Sequence, residues 1–458
     1  MTSLRKFKVN EELVGVVDDL SSRGTGVLKI EGYPFFVEGV LPGEEVKVKV
    51  TKVTPKHGYA EALEILKESS DRVELKDPVG QLIGTMSLQH LNYPAQLDYK
   101  TNSVQQVFKR IGKFEGANVK PTIGMENPWE YRNKAQVPVR LVNGELHTGF
   151  YKQGSHDLVP VENFHIQDPV IDETIVKVRD ILRKYRIEPY NEQNGQGDIR
   201  HVVVKRGYYT HEIMIVLVAN KDTLPHQEKI IEEIKKEVPE LVSLVLNINK
   251  RNTNVILGRE SHVLWGRSEY QDQILGLTFS ISAQSFFQVN TLQAERLYEE
   301  ALKVADISPD DIVMDAYCGI GSITLCLAKH AKHVYGMEVV KEAIDMAKEN
   351  AKINHLHNVT FEAGRAEDVL PRWDQEGIQF DVAVVDPPRK GLATSFIDVL
   401  TKQQPKRIVY VSCNPATCAR DCRLIADQGY TLESVQPVDL FPQTPHVECI
   451  VLMEKVAD

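Results

Sequence analysis

The sequence predicts a multidomain chain: an N-terminal OB-like β-barrel, an α+β middle domain and a C-terminal α/β domain of Rossmann-like type. Three observations predict it. Short β-rich runs punctuated by glycine recur at roughly ten-residue spacing over the first 66 residues. Strands and helices then mix without strict order over 67–280, and after "FSISAQSFFQVN" they alternate strictly through 281–458. A length of 458 residues is also too great for one hydrophobic core.

The first runs are "LVGVVDDL", "GTGVLKI", "YPFFVEGV", "EEVKVKVTKV" and "YAEALEIL". They predict a five-stranded barrel over 1–66 of the oligonucleotide-binding type, although spacing alone leaves other small β-domains open. In the middle region "AQLDYKTNSVQQVFKRIGKF" is an amphipathic helix over about 95–114, expected to dock on the C-terminal domain. Strands such as "KAQVPVRLV", "RHVVVKRGYY" and "HEIMIVLVAN" follow, interleaved with the helices "DPVIDETIVKVRDILRKYRI" and "LPHQEKIIEEIKKEV". In the last region "DIVMDAYCGIGS" leads into "ITLCLAKHA", "HVYGMEVV" into "KEAIDMAKENAKINH", and "RIVYVSCNP" into "ATCARDCRLIADQG". Apolar strands flanked by helices describe a doubly wound, mainly parallel sheet.

Composition narrows the class without naming a function. The start "MTSLRKFKVNEEL" lacks the apolar core of a secretory signal, and no apolar run reaches bilayer-spanning length, so a cytoplasmic protein without membrane contact is expected. All six cysteines lie between Cys318 and Cys449, which is not a disulfide framework. A net charge of -10 argues against broad polyanion binding but leaves room for a local basic groove. No segment points to an obligate protein partner.

Four motifs carry chemistry. In "MDAYCGIGS", Gly319 and Gly321 let backbone approach a ligand at a strand-to-helix turn, and Glu338 ends the next strand where a carboxylate accepts ribose hydroxyls. Thr324 stands where the dinucleotide pattern has its third glycine, which disfavours a pyrophosphate and favours a ligand such as S-adenosylmethionine. "VVDPPRKGL" places Asp386 at a strand end before two rigid prolines; Arg389 is a candidate contact to a phosphate or a target base, or a surface ion pair.

In "VYVSCNPATC" the thiol of Cys413 sits at a strand end, with Asn414 as helix cap and Pro415 in the first turn. A free thiol is only a few per cent ionised at neutral pH, and a helix N-terminus would favour its anion. A packing role stays open, while the cysteines lack the paired spacing of a zinc site. "FPQTPHVECIVLMEK" offers Glu448 at a strand start, solvent-facing or turned into the crevice as a proton acceptor, with His446 beside it as a second polar contact.

Together, and in this order, "DAYCGIGS", "VVDPPRKGL", "YVSCNPATCARD" and "PHVECIVLMEK" resemble the S-adenosylmethionine-dependent RNA uracil-5-methyltransferases of class I. "SFFQVN" resembles the segment ahead of their methyltransferase domain, and "GTGVLKIEGYPFFVEGVLPGEEVKVKV" resembles the TRAM domain of members acting on ribosomal RNA. The resemblance implies Cys413 as nucleophile, Glu448 as general base, and Gln288, Tyr317, Glu338 and Asp386 as cofactor contacts, with Gly319, Gly321 and Ser322 lining the pocket. It implies single-stranded loops of 23S ribosomal RNA as substrate, at one or two sites. A tRNA uridine-5-methyltransferase, a base-amino methyltransferase and a noncatalytic RNA-binding assembly factor remain alternatives.

One departure is plain. Many relatives hold an iron–sulfur centre through middle-domain cysteines. This chain has Asp77, Ile83, Met86 and Phe164 at those positions, keeping only Gln89 and His90. Such clusters need thiolates, so none is expected, and apolar packing is expected to fasten the domain instead.

Overall fold

The computed structural model describes residues 7–456; the outermost residues of the first and last expected domains, 1–6 and 457–458, lie outside the described residues. Strands β1 (Glu12–Leu20), β2 (Gly26–Ile30), β3 (Tyr33–Val37), β4 (Glu45–Val53) and β5 (Gly58–Lys67) close into a barrel in the order β1-β2-β3-β5-β4. β3 and β5 run parallel and the other pairs antiparallel, the connectivity of a Greek-key barrel. Alternation puts Val46, Val48 and Val50 inside with Phe35 and Val37, and leaves Lys47 and Lys49 outside.

The middle region contributes α1 (Pro78–Leu82), α2 (Tyr93–Arg110), β6 (Lys134–Val142), β7 (Glu145–Tyr151), β8 (Leu158–Pro160), α3 (Pro169–Lys184), β9 (Ile199–Arg206), β10 (Ile213–Ala219), α4 (Gln227–Glu237), β11 (Leu241–Ile248) and β12 (Glu260–Gly266). Its seven strands run β12-β11-β10-β9-β6-β7-β8. Every residue of β10 is buried, because both faces of the sheet are covered. Ile215 and Leu217 pack toward α3 and α4, whereas Met214, Val216 and Val218 join the core of the hairpin β13 (Glu269–Ile274) and β14 (Leu277–Ser282).

The last region holds α5 (Thr291–Ala305), β15 (Ile312–Ala316), α6 (Ser322–Ala328), β16 (His333–Glu338), α7 (Lys341–Ile353), β17 (Val359–Ala363), α8 (Ala366–Gln375), β18 (Val382–Val385), α9 (Thr394–Lys402), β19 (Arg407–Ser412), α10 (Pro415–Ala426), β20 (Tyr430–Val438) and β21 (Glu448–Lys455). The sheet order is β17-β16-β15-β18-β19-β21-β20; the first five strands are parallel, and β21 is antiparallel to both its neighbours. Strand order reverses between β15 and β18, which opens a crevice at their carboxyl ends where such sheets bind ligands.

Two segments ahead of this region are built into it. Gln96, Lys100, Val104 and Phe108 form the buried stripe of α2, and Val104 and Phe108 share one core with Met314, Val385 and Tyr410. Beyond α2 the chain borders β20, with Lys120 N–H donating to the Val435 carbonyl at 2.9 Å and Ile123 N–H to that of Pro437 at 3.0 Å. The hairpin β13–β14 is fastened to α7: Thr278 N–H donates to Asn354 Oδ1 at 2.9 Å and Ser280 N–H to Asn350 Oδ1 at 2.8 Å.

Ile83, Met86 and Phe164, expected from the sequence to fasten the domain by apolar packing, lie in one buried cluster with Tyr131 and Ile166. Asp77 caps α1, accepting from Gly80 N–H at 3.0 Å, and bonds His165 Nδ1 at 3.0 Å. Among the described residues no helix is long and apolar enough to cross a membrane.

Candidate active site

β15 ends in a turn whose backbone is unusual from its first residue. Tyr317 has φ 68°, Gly319 55° and Gly321 85°. The last two angles suit glycine, whereas Tyr317 holds a left-handed conformation that costs an L-residue about 1–2 kcal/mol. A Cβ at Gly319 would meet nothing within 4 Å, so its open side faces the crevice; at Gly321 it would meet Phe361 Cζ at 3.2 Å and Ala347 Cβ at 3.3 Å.

Glu338, ending β16, accepts from Gly319 N–H at 3.3 Å and Val340 N–H at 3.0 Å, which ties the turn to the next strand. Thr324 Oγ1 donates to Asp315 Oδ2 at 2.5 Å, so the threonine that replaces a glycine has a partner. Asp315 Oδ1 is buried and unpartnered. Burial, offset by the Thr324 hydroxyl and reinforced by Asp386 and Glu338, pushes Asp315 up to about 7.

Asp386 follows β18, one strand over, with its N–H donating to the Ala316 carbonyl at 3.2 Å. Burial raises it to about 7. The DPPRKG turn after it is stapled to the start of α10. Asn414 Nδ2 and Thr417 Oγ1 donate to the Arg389 carbonyl at 2.9 and 3.2 Å. The fully buried Asp421 accepts from Leu392 N–H and the Tyr410 hydroxyl, each at 2.8 Å.

Cys413 follows β19, and Asn414 caps α10 by accepting from Ala416 N–H at 3.2 Å. Antiparallel pairing of β19 with β21 ends at Ser412 opposite Cys449. One residue further, the register sets Cys413 against Glu448. Five cysteines are buried; Cys413 is the exception, half-buried at the crevice.

The helix start does not lower this thiol as the sequence suggests. Burial pushes it up, Glu448 and Asp386 push it further, and Arg389 with a backbone bond opposes them. Glu448 is 6% exposed, so it points inward. Burial and then Asp386, opposed by Arg389, raise it to about 8. Burial, then Arg389 and Lys100, push His446 down.

Cys413, Asp386, Arg389, His446 and Glu448 thus share one electrostatic neighbourhood, joined through Asp386 to Asp315 and Glu338. Ser322 starts α6 beside Tyr298, whose hydroxyl is pushed up by burial and then Asp386. Tyr317 lies near Glu338 and packs on Phe396 with ring centroids 6.2 Å apart. Gln288 is buried between β14 and α5, and its carbonyl accepts from Asn133 Nδ2 at 2.9 Å; this bond runs to the middle region rather than to the other site residues.

Sequence reading missed the support beneath the β20–β21 connection, which carries His446. Lys100 and Asp439, both fully buried, pair at 2.5 Å, and the Tyr93 hydroxyl donates to the same carboxylate at 2.9 Å. Lys100 also donates to the Phe441 carbonyl at 3.2 Å, and Gln96 Nε2 donates to Gln443 Oε1 at 2.9 Å. The signal was available: a lysine at fourfold spacing within the apolar stripe of α2 must find a buried acceptor. Asp315, on an apolar strand, was equally detectable.

A crevice with an open glycine face, a carboxylate at the end of the second strand and an unpartnered buried carboxylate oxygen suits a ribose-bearing cation. Among the described residues, no group of three or more His, Cys, Asp or Glu could hold a metal ion.

A family model described as tRNA (uracil-5-)-methyltransferase matches residues 92–456, and one described as TRAM domain matches 8–63. An RNA methyltransferase of Enterococcus faecalis is 49% identical over 98% of this chain and 99% of its own, and one of Listeria monocytogenes 48% over 98% of each. The crystal structure of Pyrococcus abyssi tRNA (uracil-54, C5)-methyltransferase in complex with S-adenosyl-L-homocysteine superposes with a TM-score of 0.76. It is 26% identical, covering 96% of this chain and 99% of that one. The first matched region begins one residue before α2, in agreement with the packing of that helix into the catalytic core. The chain belongs to the tRNA (uracil-5-)-methyltransferase family of S-adenosylmethionine-dependent RNA methyltransferases, with a TRAM barrel at its N-terminal end.

Proposed function

We propose that this enzyme methylates carbon 5 of uridine in 23S ribosomal RNA, at one or two sites, with Cys413 as nucleophile and Glu448 as general base. The observation that carries the reading is the strand register that opposes Cys413 to an inward-facing Glu448, with Asp386 one strand away.

Carbon 5 of uracil is a poor nucleophile. Bonding of Cys413 Sγ to carbon 6 moves the 5,6 electron pair toward carbon 5 and the carbonyl oxygen on carbon 4, as an enolate. Asp315, Gly319, Glu338 and Asp386, with Gln288, Tyr317, Gly321 and Ser322, would hold S-adenosylmethionine, which supplies an electrophilic methyl group. After carbon 5 is alkylated, Glu448 accepts its proton. The released pair re-forms the 5,6 double bond and the sulfur leaves carbon 6. Arg389, the cation nearest both acids in effect, favours their charged forms.

The pH dependence follows in sign. Both groups act as anions, and both are held above their ordinary range, Glu448 at about 8. Activity is therefore lost as pH falls through about 8. With RNA saturating and cofactor subsaturating, kcat/KM for the cofactor is expected to fall about tenfold per pH unit where only the thiol is protonated, and about a hundredfold per unit once Glu448 is protonated too. Saturating cofactor, whose sulfonium brings a positive charge, shifts the limb downward. A flat profile between pH 6 and 8 excludes this assignment.

A target base inside a stack cannot reach such a crevice, so the uridine is flipped or unpaired. The TRAM barrel and the lack of the iron–sulfur cysteines support the ribosomal reading by resemblance. The family description and the Pyrococcus neighbour favour tRNA as the second reading. Mapping 5-methyluridine in RNA from cells lacking the protein tests the choice. Loss at one or two positions of 23S RNA is expected; loss confined to tRNA transfers the assignment.

A further inference from the structure

Phe36, His57 and Tyr59 form an aromatic cluster on the outside of the barrel. Along β3 the inward positions are filled by Phe35 and Val37, both fully buried, so Phe36 points out. The parallel register sets Phe36 against Tyr59. Ring centroids lie 5.5 Å apart for Phe36–His57, 5.3 Å for His57–Tyr59 and 5.8 Å for Phe36–Tyr59. Tyr59 remains 42% exposed, and Lys52 Nζ lies 5.9 Å from its ring centre.

These rings line a cleft of about 1480 Å³ that Arg389 and His446 also line. That volume exceeds the roughly 300–1,000 Å³ of a small-molecule pocket. The lining carries Arg23, Arg132, Lys134 and Arg389 against Glu38 and Glu61, a positive excess in a chain of net charge -10. The cleft adjoins the chemistry, since Arg389 acts on both Cys413 and Glu448.

The barrel and the loop that carries His446 are held together. The Tyr99 hydroxyl donates to the Ser21 carbonyl at 2.8 Å, anchoring the β1–β2 turn to α2. In that turn Gly24 has φ +73°, and a Cβ there would meet Leu88 Cδ2 at 2.8 Å and Pro445 Cβ at 3.8 Å. The barrel turn therefore rests on the loop that carries His446.

We propose that Phe36, His57 and Tyr59 are a stacking platform for unpaired bases of the same RNA strand whose uridine enters the active site, with the cleft cations on the intervening phosphates. This rests on RNA being the substrate and deepens that reading by assigning where flanking nucleotides bind. Every base offers a π-face, so aromatic rings beside cations hold single strands without demanding a sequence. The competing role for the rings is cross-strand support of the barrel alone.

The test is binding of a fluorescein-labelled oligouridylate of about twelve nucleotides, within the usual span of an OB barrel, measured by anisotropy over a salt series. Phe36→Leu combined with Tyr59→Leu keeps apolar bulk and removes the rings. Its Kd is expected to rise roughly 5- to 150-fold per stacked base lost, with the salt slope unchanged. Arg23→Gln with Arg132→Gln is expected to flatten the slope by about 0.7 per cation. Calorimetric titration with S-adenosylhomocysteine and the melting temperature report folding separately.

Oligouridylate affinity within about twofold of the parent, a change small against the expected stacking loss, would overturn the platform. So would a loss matched by an equal loss of S-adenosylhomocysteine affinity. If oligouridylate binding depends on the rings while ribosomal RNA accepts no tritiated methyl group, the platform stands and the substrate assignment falls.

Discussion

Cys413→Ala is expected to abolish methyl transfer to RNA, a loss of roughly 10⁴-fold or more, while affinity for S-adenosylhomocysteine survives. None of the other thiols can substitute. Cys318 sits inside the glycine turn, Cys326 on α6, and Cys418 lies 3.9 Å from Cys422 within α10. Cys449 alternates with Glu448 onto the opposite face of β21 and is fully buried. Removing one sulfur from a half-exposed position leaves no large cavity, so the variant is expected to fold. Incorporation of tritiated methyl groups, followed by identification of the modified nucleoside, checks the result. A variant that still methylates RNA at near-normal rate removes the covalent step. Transfer to a base amino group, which needs no thiol, would then be the reaction to examine.

Glu448→Gln is expected to slow release by about 10²- to 10⁴-fold and to trap a protein–RNA adduct visible on denaturing gels. The amide matches the carboxylate in shape but cannot accept the carbon 5 proton, so the methylated ring has no route to eliminate sulfur. The substitution also acts on the thiol. Glu448 is the leading charge that pushes Cys413 up, and its neutralisation eases formation of the thiolate. Addition is favoured while elimination is blocked, and both effects raise the adduct. Normal turnover with no trapped species would take the base role away from Glu448 and leave it as a buried structural acid.

The catalytic sheet was legible because its signals are local. "VAVV" and "RIVYVS" are continuous apolar runs, as parallel strands covered on both faces must be. The glycine turn and the Asn-Pro start of α10 follow from backbone preferences within a few residues. Alternation in "EVKVKV" announced a barrel wall for the same reason. The replacement of cluster thiolates by Asp77, Ile83, Met86 and Phe164 needed only residue identity.

Tertiary structure alone decided the rest. Whether Glu448 faces solvent or crevice depended on the pairing of β21 with β19, which sets Cys449 opposite Ser412, 37 positions earlier, and which no local pattern encodes. The helix start argued for a lowered thiol, but burial and two carboxylates from other strands outweighed it. The place of Lys100 in the buried stripe of α2 calls for an acceptor, but that the acceptor is Asp439, 339 positions away, is set only by the fold. Local conformation is set by near neighbours along the chain and can be read from them. Desolvation and charge coupling are set by neighbours in space, and these become known only when distant segments have folded onto the same crevice.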